Sequence, residues 1–244
     1  MSSSVADYRS MVEEPWGKMF YELIFAQLDI PEDKRLKILD FGAGFCITAA
    51  HYAKHHDVVA VEPNEEMASL RLVNDEYSFI QKGIDYLKTI DDNSFDIVIC
   101  HNVLEYADDK EAILEQLVRV LKPDGQLSVV KHNLYGRIMA SAVFSDDPEM
   151  ALKLLNYDGE ESMLGKREVY SENWLTSTLK DKMELEDTYA IRTFFGLSSN
   201  NEIKYTEDWY KSMLELEMKT YNIDEYKKIA FFNHLIYKKH TLFN

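Results

Sequence analysis

Apolar residues along this chain form two kinds of pattern, which alternate between residues 36 and 131. Short strand patterns occur at Leu36–Phe41, Val58–Glu62, Ser78–Ile80, Phe95–Cys100 and Gln126–Lys131. The second is continuous in apolar residues up to Glu62, as is typical of a strand buried on both faces. Residues 46–55, 64–73 and 109–121 carry apolar positions at helical spacing, and Lys122–Gly125 has the composition of a turn. Strands and helices joined by short connections predict an α/β fold with a mostly parallel sheet and helices on both faces.

Helical patterns flank this region on both sides. Residues 8–29 form a helical pattern with Pro15 inside it, where the regular helix is expected to begin, and Pro31 ends the pattern. Residues 134–182 are also mostly helical, with no strand pattern before about Leu185. The remaining pattern predicts a helix at Ser171–Lys182, a strand at Leu185–Phe195, a helix at 206–221 and a strand at 229–238, which complete a seven-stranded sheet.

The composition limits the classes of protein that fit this pattern. The 244 residues are 46% hydrophobic, which is enough for a buried core and excludes a disordered chain. Acidic residues outnumber basic ones by 43 to 27, for a net charge of −16, which excludes a general binder of polyanions. Two cysteines give no disulfide framework, no apolar run spans a membrane, and the first residues lack signal-peptide features. We therefore expect a cytoplasmic protein with no membrane partner.

A glycine-containing turn, Gly42-Ala43-Gly44, follows the first predicted strand and is called the glycine loop below. Glu62 ends the second strand, where a carboxylate can accept hydrogen bonds from ribose hydroxyls. Dinucleotides and S-adenosylmethionine both fit such a loop. A dinucleotide site prefers a small residue where Ile47 stands, whereas the anion of Asp40 suits the ammonium of a methionine moiety. The residues favour S-adenosylmethionine, and a dinucleotide or a turn without any ligand stays open.

Four motifs together resemble those of the class I S-adenosylmethionine-dependent methyltransferases, in the order and at the spacing of that family. They are Leu39–Gly44, Val61–Met67, Phe95–Glu105 and Val120–Gly125. The chain departs from the family at Cys46, where a third glycine is usual, and at Asp124, where the family usually has Pro-Gly-Gly. The resemblance implies a Rossmann-like fold in a single domain over 1–244, divided into a helical segment at 8–30, a cofactor-binding core at 34–133, a helical cap at 134–170 and a completion of the sheet at 171–244.

The resemblance also implies a place for each part of S-adenosylmethionine. The methionine part would contact Asp40, Gly42, Ala43 and Gly44, with Lys18 at its carboxylate and His101 beside the sulfur. The ribose would contact Glu62. The adenine would contact Asn64, Met67, Gly83, Ile84 and Asp85. Ile84 stands where an acidic residue is usual, so we expect its backbone rather than the Asp85 side chain to make the contact. A solvated lysine is the alternative for Lys18.

Three residues are candidates for the catalytic site. His101 is a candidate general base, since a neutral imidazole accepts protons near pH 7, although a packed core histidine would explain it too. Arg192 is suited to hold an acceptor carboxylate by two parallel hydrogen bonds, with an ordinary ion pair as the alternative. Tyr135 follows the fifth strand and would face the same crevice. His51 and His55 have the spacing of metal ligands but no third ligand nearby, so no metal is expected.

The acceptor is the open question. A second resemblance, carried by Lys131–Gly136, Ile191–Phe194 and Leu214–Glu217, is to the SmtA-type branch, one member of which esterifies the carboxymethoxy group of a wobble uridine in tRNA. The net charge of −16 opposes tRNA, and Lys227, Lys228, Lys238 and Lys239 form the one obvious basic cluster. A small-molecule acceptor beneath the cap, whose apolar residues include Met139, Met150 and Met163, is preferred. Binding of the cofactor without catalysis is a further alternative.

Overall fold

A computed structural model of the chain describes residues 5–73, 76–156, 160–162 and 165–241. At 160–162 and 165–167 it describes the backbone alone. Met163, named above as a residue of the cap, lies outside the described residues. The helices are α1 (Val5–Glu13), α2 (Pro15–Gln27), α3 (Ile47–Tyr52), α4 (Glu65–Ser69), α5 (Ile84–Leu87), α6 (Lys110–Val120), α7 (Leu134–Met139), α8 (Pro148–Leu155), α9 (Glu172–Leu179), α10 (Glu207–Thr220) and α11 (Asp224–Lys227). The strands are β1 (Lys37–Phe41), β2 (Asp57–Val61), β3 (Tyr77–Ile80), β4 (Phe95–His101), β5 (Leu121–His132), β6 (Glu160–Ser162), β7 (Gly165–Arg167), β8 (Met183–Ile191) and β9 (Phe232–Lys239).

Seven strands form one sheet in the order β3-β2-β1-β4-β5-β9-β8. β1 lies between β2 and β4, parallel to both, and Ile38 pairs with Val58 on one side and with Ile97 on the other. The order of the strands reverses between β1 and β4, and parallel sheets bind ligands at the carboxyl ends of strands beside such a point. The prediction of a Rossmann-like, mostly parallel seven-stranded fold is confirmed.

Some element boundaries differ from those predicted. The N-terminal helical pattern divides into α1 and α2, because Pro15 has no N–H to continue a helix and instead occupies the first turn of α2. β5 already begins at Leu121, so the predicted turn Lys122–Gly125 lies within the strand. Asp124 adopts a positive φ of 60° there, a conformation that Asp tolerates better than most residues.

The segment 134–170 is not wholly helical. It contains α7, a π-helical turn at Ala140–Phe144 and α8, as the pattern predicts. It also contains a hairpin of β6 and β7, where no strand was predicted. The two strands have three residues each and no apolar alternation, so the sequence carries no period-two signal for them.

The chain divides into two compact units. Unit 1 takes the described parts of Met1–Asp29, Val130–Val169 and Thr188–His234, and unit 2 takes those of Ile30–Val129, Tyr170–Asp187 and Leu235–Asn244. The single domain implied by the family resemblance stays a prediction. No helix among residues 5–73, 76–156 and 165–241 has the length and apolarity of a membrane span. A cytoplasmic location likewise stays a prediction.

Each unit has its own hydrophobic core. In unit 2, Leu39 of β1, Val98 of β4 and Leu117 of α6 are almost fully buried in one cluster. In unit 1, Leu23 of α2 packs in a cluster with Ile191 at the end of β8. Burial of apolar surface at about 25 cal/mol per Å² makes these clusters the main source of stability of each unit.

Gly136 of α7 allows a very close approach between two segments of unit 1. A Cβ atom at this position would lie 1.9 Å from the carbonyl oxygen of Ala230, which is a rigid backbone atom. We therefore expect Gly136→Ala to lower the free energy of unfolding by about 1–3 kcal/mol or more through overpacking, measured by denaturant titration. Gly196→Ala is the matched control, because its Cβ would meet Phe231 at an ordinary 3.6 Å. Equal stability of the two variants would contradict the close approach.

Candidate cofactor site in unit 2

The glycine loop is tied to the end of β2 by its backbone. The N–H groups of Gly42 and Ala43 both donate to the carbonyl oxygen of Val61, at 2.8 and 3.0 Å. Gly42 and Gly44 have φ values of 72° and 52°, which glycine adopts without the steric cost of a Cβ atom. At Gly42 a Cβ would also lie 2.3 Å from the Val103 side chain, whereas no atom lies within 4 Å of such a Cβ at Gly44. Gly44 therefore borders open space that a ligand can occupy.

The carboxylate of Glu62 closes the glycine loop. Its Oε2 accepts a hydrogen bond from the Gly44 N–H and its Oε1 accepts one from the Asn64 N–H, both at 2.8 Å. Burial raises the pKa of this carboxyl, and the two backbone N–H groups oppose the rise. Each carboxylate oxygen has a second lone pair, so Glu62 can still accept from the two hydroxyls of a ribose.

Asp40 supplies an unpartnered charge beside the loop. It is buried at the end of β1, and its Oδ2 has no hydrogen-bond partner in the described part of the chain. Burial and then the charge of Glu62 raise the pKa of Asp40 to about 7, while a hydrogen bond from the Ala49 N–H opposes this. A buried acceptor without a donor costs about 1–3 kcal/mol, which a ligand cation with N–H donors would relieve. Asp40 therefore fits the ammonium of S-adenosylmethionine.

Cys46 occupies the place of the family's third glycine and adopts its backbone conformation. Its φ of 58° and ψ of 28° are left-handed, and it precedes the first turn of α3. This left-handed conformation is one that glycine adopts without steric cost, and the Cys46 side chain is fully buried. Cys46 and Cys100 are both free thiols.

The end of β4 brings two further polar side chains into unit 2. The His101 Nε2 lies 2.7 Å from the Ser128 Oγ, a contact that fixes the orientation of the imidazole ring. Asn102 follows with a left-handed φ of 54°, and its Oδ1 is buried with no partner among the described residues. Asn102 follows the fourth predicted strand, where the family resemblance implies the donor sulfur, whereas Ser128 has no predicted role. A sequence can indicate this left-handed conformation only through the residue type, because asparagine adopts positive φ values more readily than most residues do.

The predicted adenine residues have different surroundings in unit 2. Asn64 caps α4, because its Oδ1 accepts from the Met67 N–H at 2.9 Å, and Met67 is buried. Gly83 and Ile84 begin α5 and are half-buried. Asp85 is exposed, and its carboxylate pairs with Lys88 at 2.7 Å, which lowers the pKa of Asp85. The adenine contacts implied for these residues, including that of the Ile84 backbone, stay predictions.

Three predicted site residues, Lys18, Tyr135 and Arg192, belong to unit 1 instead of unit 2. The Lys18 side chain is 60% exposed, 3.9 Å from a Glu22 carboxylate oxygen, and its Nζ lies 4.6 Å from the centre of the Tyr210 ring. Tyr135 is 64% exposed on α7. The roles proposed for Lys18 and Tyr135 stay predictions.

Arg192 lies among aromatic rings and forms no ion pair with any residue that the structure describes. Its guanidinium carbon lies 5.2–5.8 Å from the centres of four rings, called the aromatic cage: Trp16, Phe195, Phe231 and Phe232. Its Nε is buried without a hydrogen-bond partner in the described residues. Burial lowers the pKa of Arg192 to about 10, opposed by the charge of Glu217, so the side chain is a cation at neutral pH.

Glu217 of α10 holds the turn that carries Arg192. Its carboxylate accepts hydrogen bonds from the N–H groups of Thr193, Phe194 and Phe195, at 3.0, 2.8 and 2.8 Å. Arg192 itself has a φ of 59° at the start of this turn. Glu217 was part of a motif in the sequence, but the pattern gave no sign of this role. The ion pair expected as the alternative for Arg192 is not found among the described residues.

The histidines with metal-ligand spacing serve other contacts. His55 lies 3.6 Å from a Glu32 carboxylate oxygen, and the ring of His51 packs edge-on against Tyr52. No group of three or more His, Cys, Asp or Glu side chains within the described ranges has the geometry to hold a metal ion.

Fold and site together define a nucleotide-binding α/β protein in which the glycine loop follows β1 and an acidic residue follows β2. The solved structures with this fold include a chain from the complex of the Haloferax volcanii Trm112 methyltransferase activator with a methyltransferase, at a TM-score of 0.64 and 16% identity, covering 98% of this chain and 95% of that one. A second is an S-adenosylmethionine dependent methyltransferase from Listeria monocytogenes, at a TM-score of 0.60 and 14% identity, covering 92% and 98%.

The sequence comparisons find similarity to methyltransferases over part of the chain. Residues 39–129 match the family described as "Methyltransferase domain". The tRNA 5-carboxymethoxyuridine methyltransferase of Escherichia coli K12 is 29% identical over 118 residues, 45% of each chain. Ajmaline N-methyltransferase of Rauvolfia serpentina is 27% identical over 119 residues, 45% of this chain and 41% of that protein. The chain therefore matches less than half the length of these relatives. These similarities support a class I S-adenosylmethionine-dependent methyltransferase.

Loss of the Glu62 carboxylate should open the glycine loop and remove a ribose acceptor. We expect Glu62→Ala to weaken S-adenosylhomocysteine binding by about 1.5–3 kcal/mol, the range for a charged hydrogen-bond partner, measured by calorimetric titration. Glu65→Ala, which removes an exposed carboxylate three residues away, should bind as wild type does. Wild-type affinity in Glu62→Ala, with both variants folded by circular dichroism, would remove Glu62 from the site.

The titration of Asp40 should appear in the pH dependence of binding. Below its pKa of about 7 the carboxyl is protonated, and a bound ammonium favours the carboxylate, so binding must release this proton. The affinity for S-adenosylhomocysteine should thus rise between pH 6 and 8, by at most about tenfold per pH unit. Asp40→Asn should bind more weakly at pH 8 and show a flat profile over this range. Parallel profiles for the two proteins would rule out Asp40 as the titrating group.

Proposed function

We propose that this chain transfers a methyl group from S-adenosylmethionine to an oxygen or nitrogen nucleophile of a small-molecule acceptor. The observation that carries the proposal is the unpartnered, buried Oδ2 of Asp40 beside a glycine loop that Glu62 closes. When bound, S-adenosylmethionine supplies an electrophilic methyl group on a positively charged sulfur. The family match over residues 39–129 supports this cofactor class over a dinucleotide.

The chain's own residues contribute mainly by positioning. Glu62 holds the loop and accepts from the ribose, while Asp40 binds the ammonium. His101 keeps its ring fixed through Ser128 and can take the proton of a hydroxyl or amine acceptor as the new bond forms. A carboxylate acceptor has no proton to lose, so it would need no base.

The lysines that could contact a polyanion support a small acceptor over tRNA. Lys227 pairs with Asp224 at 3.0 Å, and Lys238 lies 3.8 Å from a Glu186 carboxylate oxygen. The Lys239 Nζ donates to the carbonyl oxygen of Val118 at 2.7 Å and to other oxygens nearby. Three of the four clustered lysines therefore have partners within the chain, and phosphate binding would have to break those contacts.

A second candidate function is carboxyl O-methylation of a modified wobble uridine in tRNA. The similarity to the Escherichia coli tRNA 5-carboxymethoxyuridine methyltransferase over 118 residues favours it. In this case Arg192, a cation without an ion pair among the described residues, would hold the acceptor carboxylate. Binding of the cofactor without catalysis is the third candidate.

One experiment orders these candidates. The purified chain is titrated with S-adenosylhomocysteine and, separately, with NAD, and is then incubated with methyl-labelled S-adenosylmethionine and either a small-molecule extract or tRNA that carries 5-carboxymethoxyuridine. We expect binding of S-adenosylhomocysteine alone and labelling of the small-molecule fraction. Labelling of tRNA alone would replace the preferred acceptor with the second candidate.

Two results would contradict the proposal more deeply. Binding of NAD without S-adenosylhomocysteine would mean that the glycine loop serves a dinucleotide. Tight binding of S-adenosylhomocysteine with no labelled product in any fraction would support the non-catalytic candidate. Asp40→Asn serves as the control for labelling that does not depend on the glycine loop.

A further inference from the structure

Two cations in unit 1 share one aromatic ring. The guanidinium carbon of Arg192 lies 5.5 Å from the centre of the Phe195 ring, and the Nζ of Lys204 lies 4.9 Å from it. Phe195 is almost fully buried, so both charges are held against the interior of the unit. The charge of Arg192 also acts on Lys204, where with burial it lowers the pKa of the ammonium.

Lys204 is short of acceptors. It is only 8% exposed, yet its Nζ donates to one acceptor, the Asn201 Oδ1 at 3.0 Å, although an ammonium carries three donors. Its other contacts are with the rings of Phe195 and Phe144, the second at 4.8 Å. A lysine this deeply buried is ordinarily paired with a carboxylate, and no carboxylate of the described chain lies within 4 Å of it.

Two acidic groups act on Arg192, the Glu217 carboxylate and the Tyr8 phenol, and the carboxylate already has its own partners. Glu217 carries one negative charge against the two positive ones, and its carboxylate is occupied by three backbone N–H groups. It raises the pKa of Arg192 from a distance without forming an ion pair. The positive charges of the half-buried Arg192 and the buried Lys204, opposed by one remote carboxylate, are costly in the free protein, and an added anion would lower that cost.

We propose that Arg192 and Lys204 form a binding site for a carboxylate carried by a planar or apolar molecule. The guanidinium offers paired N–H donors to a carboxylate, and the ammonium offers a second charge. The aromatic cage and Phe144 give walls that suit a ring or an aliphatic body, and they disfavour a strongly hydrated ion such as free phosphate. The inference concerns binding within unit 1 alone and does not depend on methyl transfer.

The test measures anion binding without the methyl donor. Phenoxyacetate, which joins a ring to one carboxylate, is titrated into the full chain and compared with 2-phenoxyethanol, which has the same shape and no charge. We expect phenoxyacetate to bind at least tenfold more tightly. Inorganic phosphate should bind at least tenfold more weakly than phenoxyacetate. Equal binding of the two phenoxy compounds, or tighter binding of phosphate, would overturn the proposal.

Charge-removing variants separate a ligand site from a structural one. Lys204→Met keeps the length of the side chain between Phe144 and Phe195 and removes one buried cation, as Arg192→Met does at the other position. Each should weaken phenoxyacetate binding at least tenfold while the melting temperature stays the same or rises. Lys204→Arg should retain binding within about threefold, and Lys211→Met, which removes an exposed lysine of α10, should bind as wild type does.

The outcomes decide between binding and packing. Unchanged phenoxyacetate binding in both methionine variants would overturn the site. A fall in melting temperature that accounts for the loss of binding in both variants would show that the two cations serve stability, and it too would overturn the proposal. Competition by the nucleoside 5-carboxymethoxyuridine would identify a modified nucleoside as the source of the carboxylate, and its absence would leave a small organic acid. A site that binds acids in a chain that methylates nothing would sustain this inference while the proposed function fails.

Discussion

The cofactor site depends on one buried carboxylate, that of Glu62. Its two oxygens accept hydrogen bonds from the Gly44 N–H in the glycine loop and from the Asn64 N–H after β2. One side chain therefore sets the spacing of both segments. Burial works against the charge of Glu62, and the backbone N–H groups at 2.8 Å hold it in place. Without such a carboxylate the glycine loop would be flexible and would have no fixed shape. A cofactor would then have to order the loop on binding, at a cost in affinity.

Unit 1 uses the same device for a different purpose. Glu217 is fully buried, and three N–H groups of the turn after β8 donate to it. In unit 2 the carboxylate holds a loop whose backbone borders open space at Gly44. In unit 1 it holds a turn that presents a cation, Arg192, to a ring of aromatic side chains. In both units a buried acid satisfies backbone donors that a turn leaves unpaired, and it does so with acceptors stronger than a carbonyl oxygen.

The sequence predicts a feature well when the residues that cause it lie close together in the chain. The strands of the parallel sheet were predicted because each is a short, largely apolar segment, and the roles expected for Gly42, Gly44 and Glu62 follow from motifs within 25 residues of one another. The hairpin of β6 and β7 was missed because it has no apolar alternation. The surroundings of Arg192 were missed because the aromatic cage draws on three separate stretches of chain, which no periodicity connects. The left-handed conformation of Cys46 could be inferred only by comparison with a glycine.

The burial of Cys46 makes the opening of the glycine loop measurable. Cys46 is fully buried at the base of the loop, and burial raises the pKa of its thiol to about 12, so at neutral pH it is neither ionised nor accessible. A maleimide or iodoacetamide can therefore react with it only in molecules whose loop has transiently opened. The alkylation rate then reports the opening equilibrium of this segment, and the native Cys46 serves as the probe without any added cysteine.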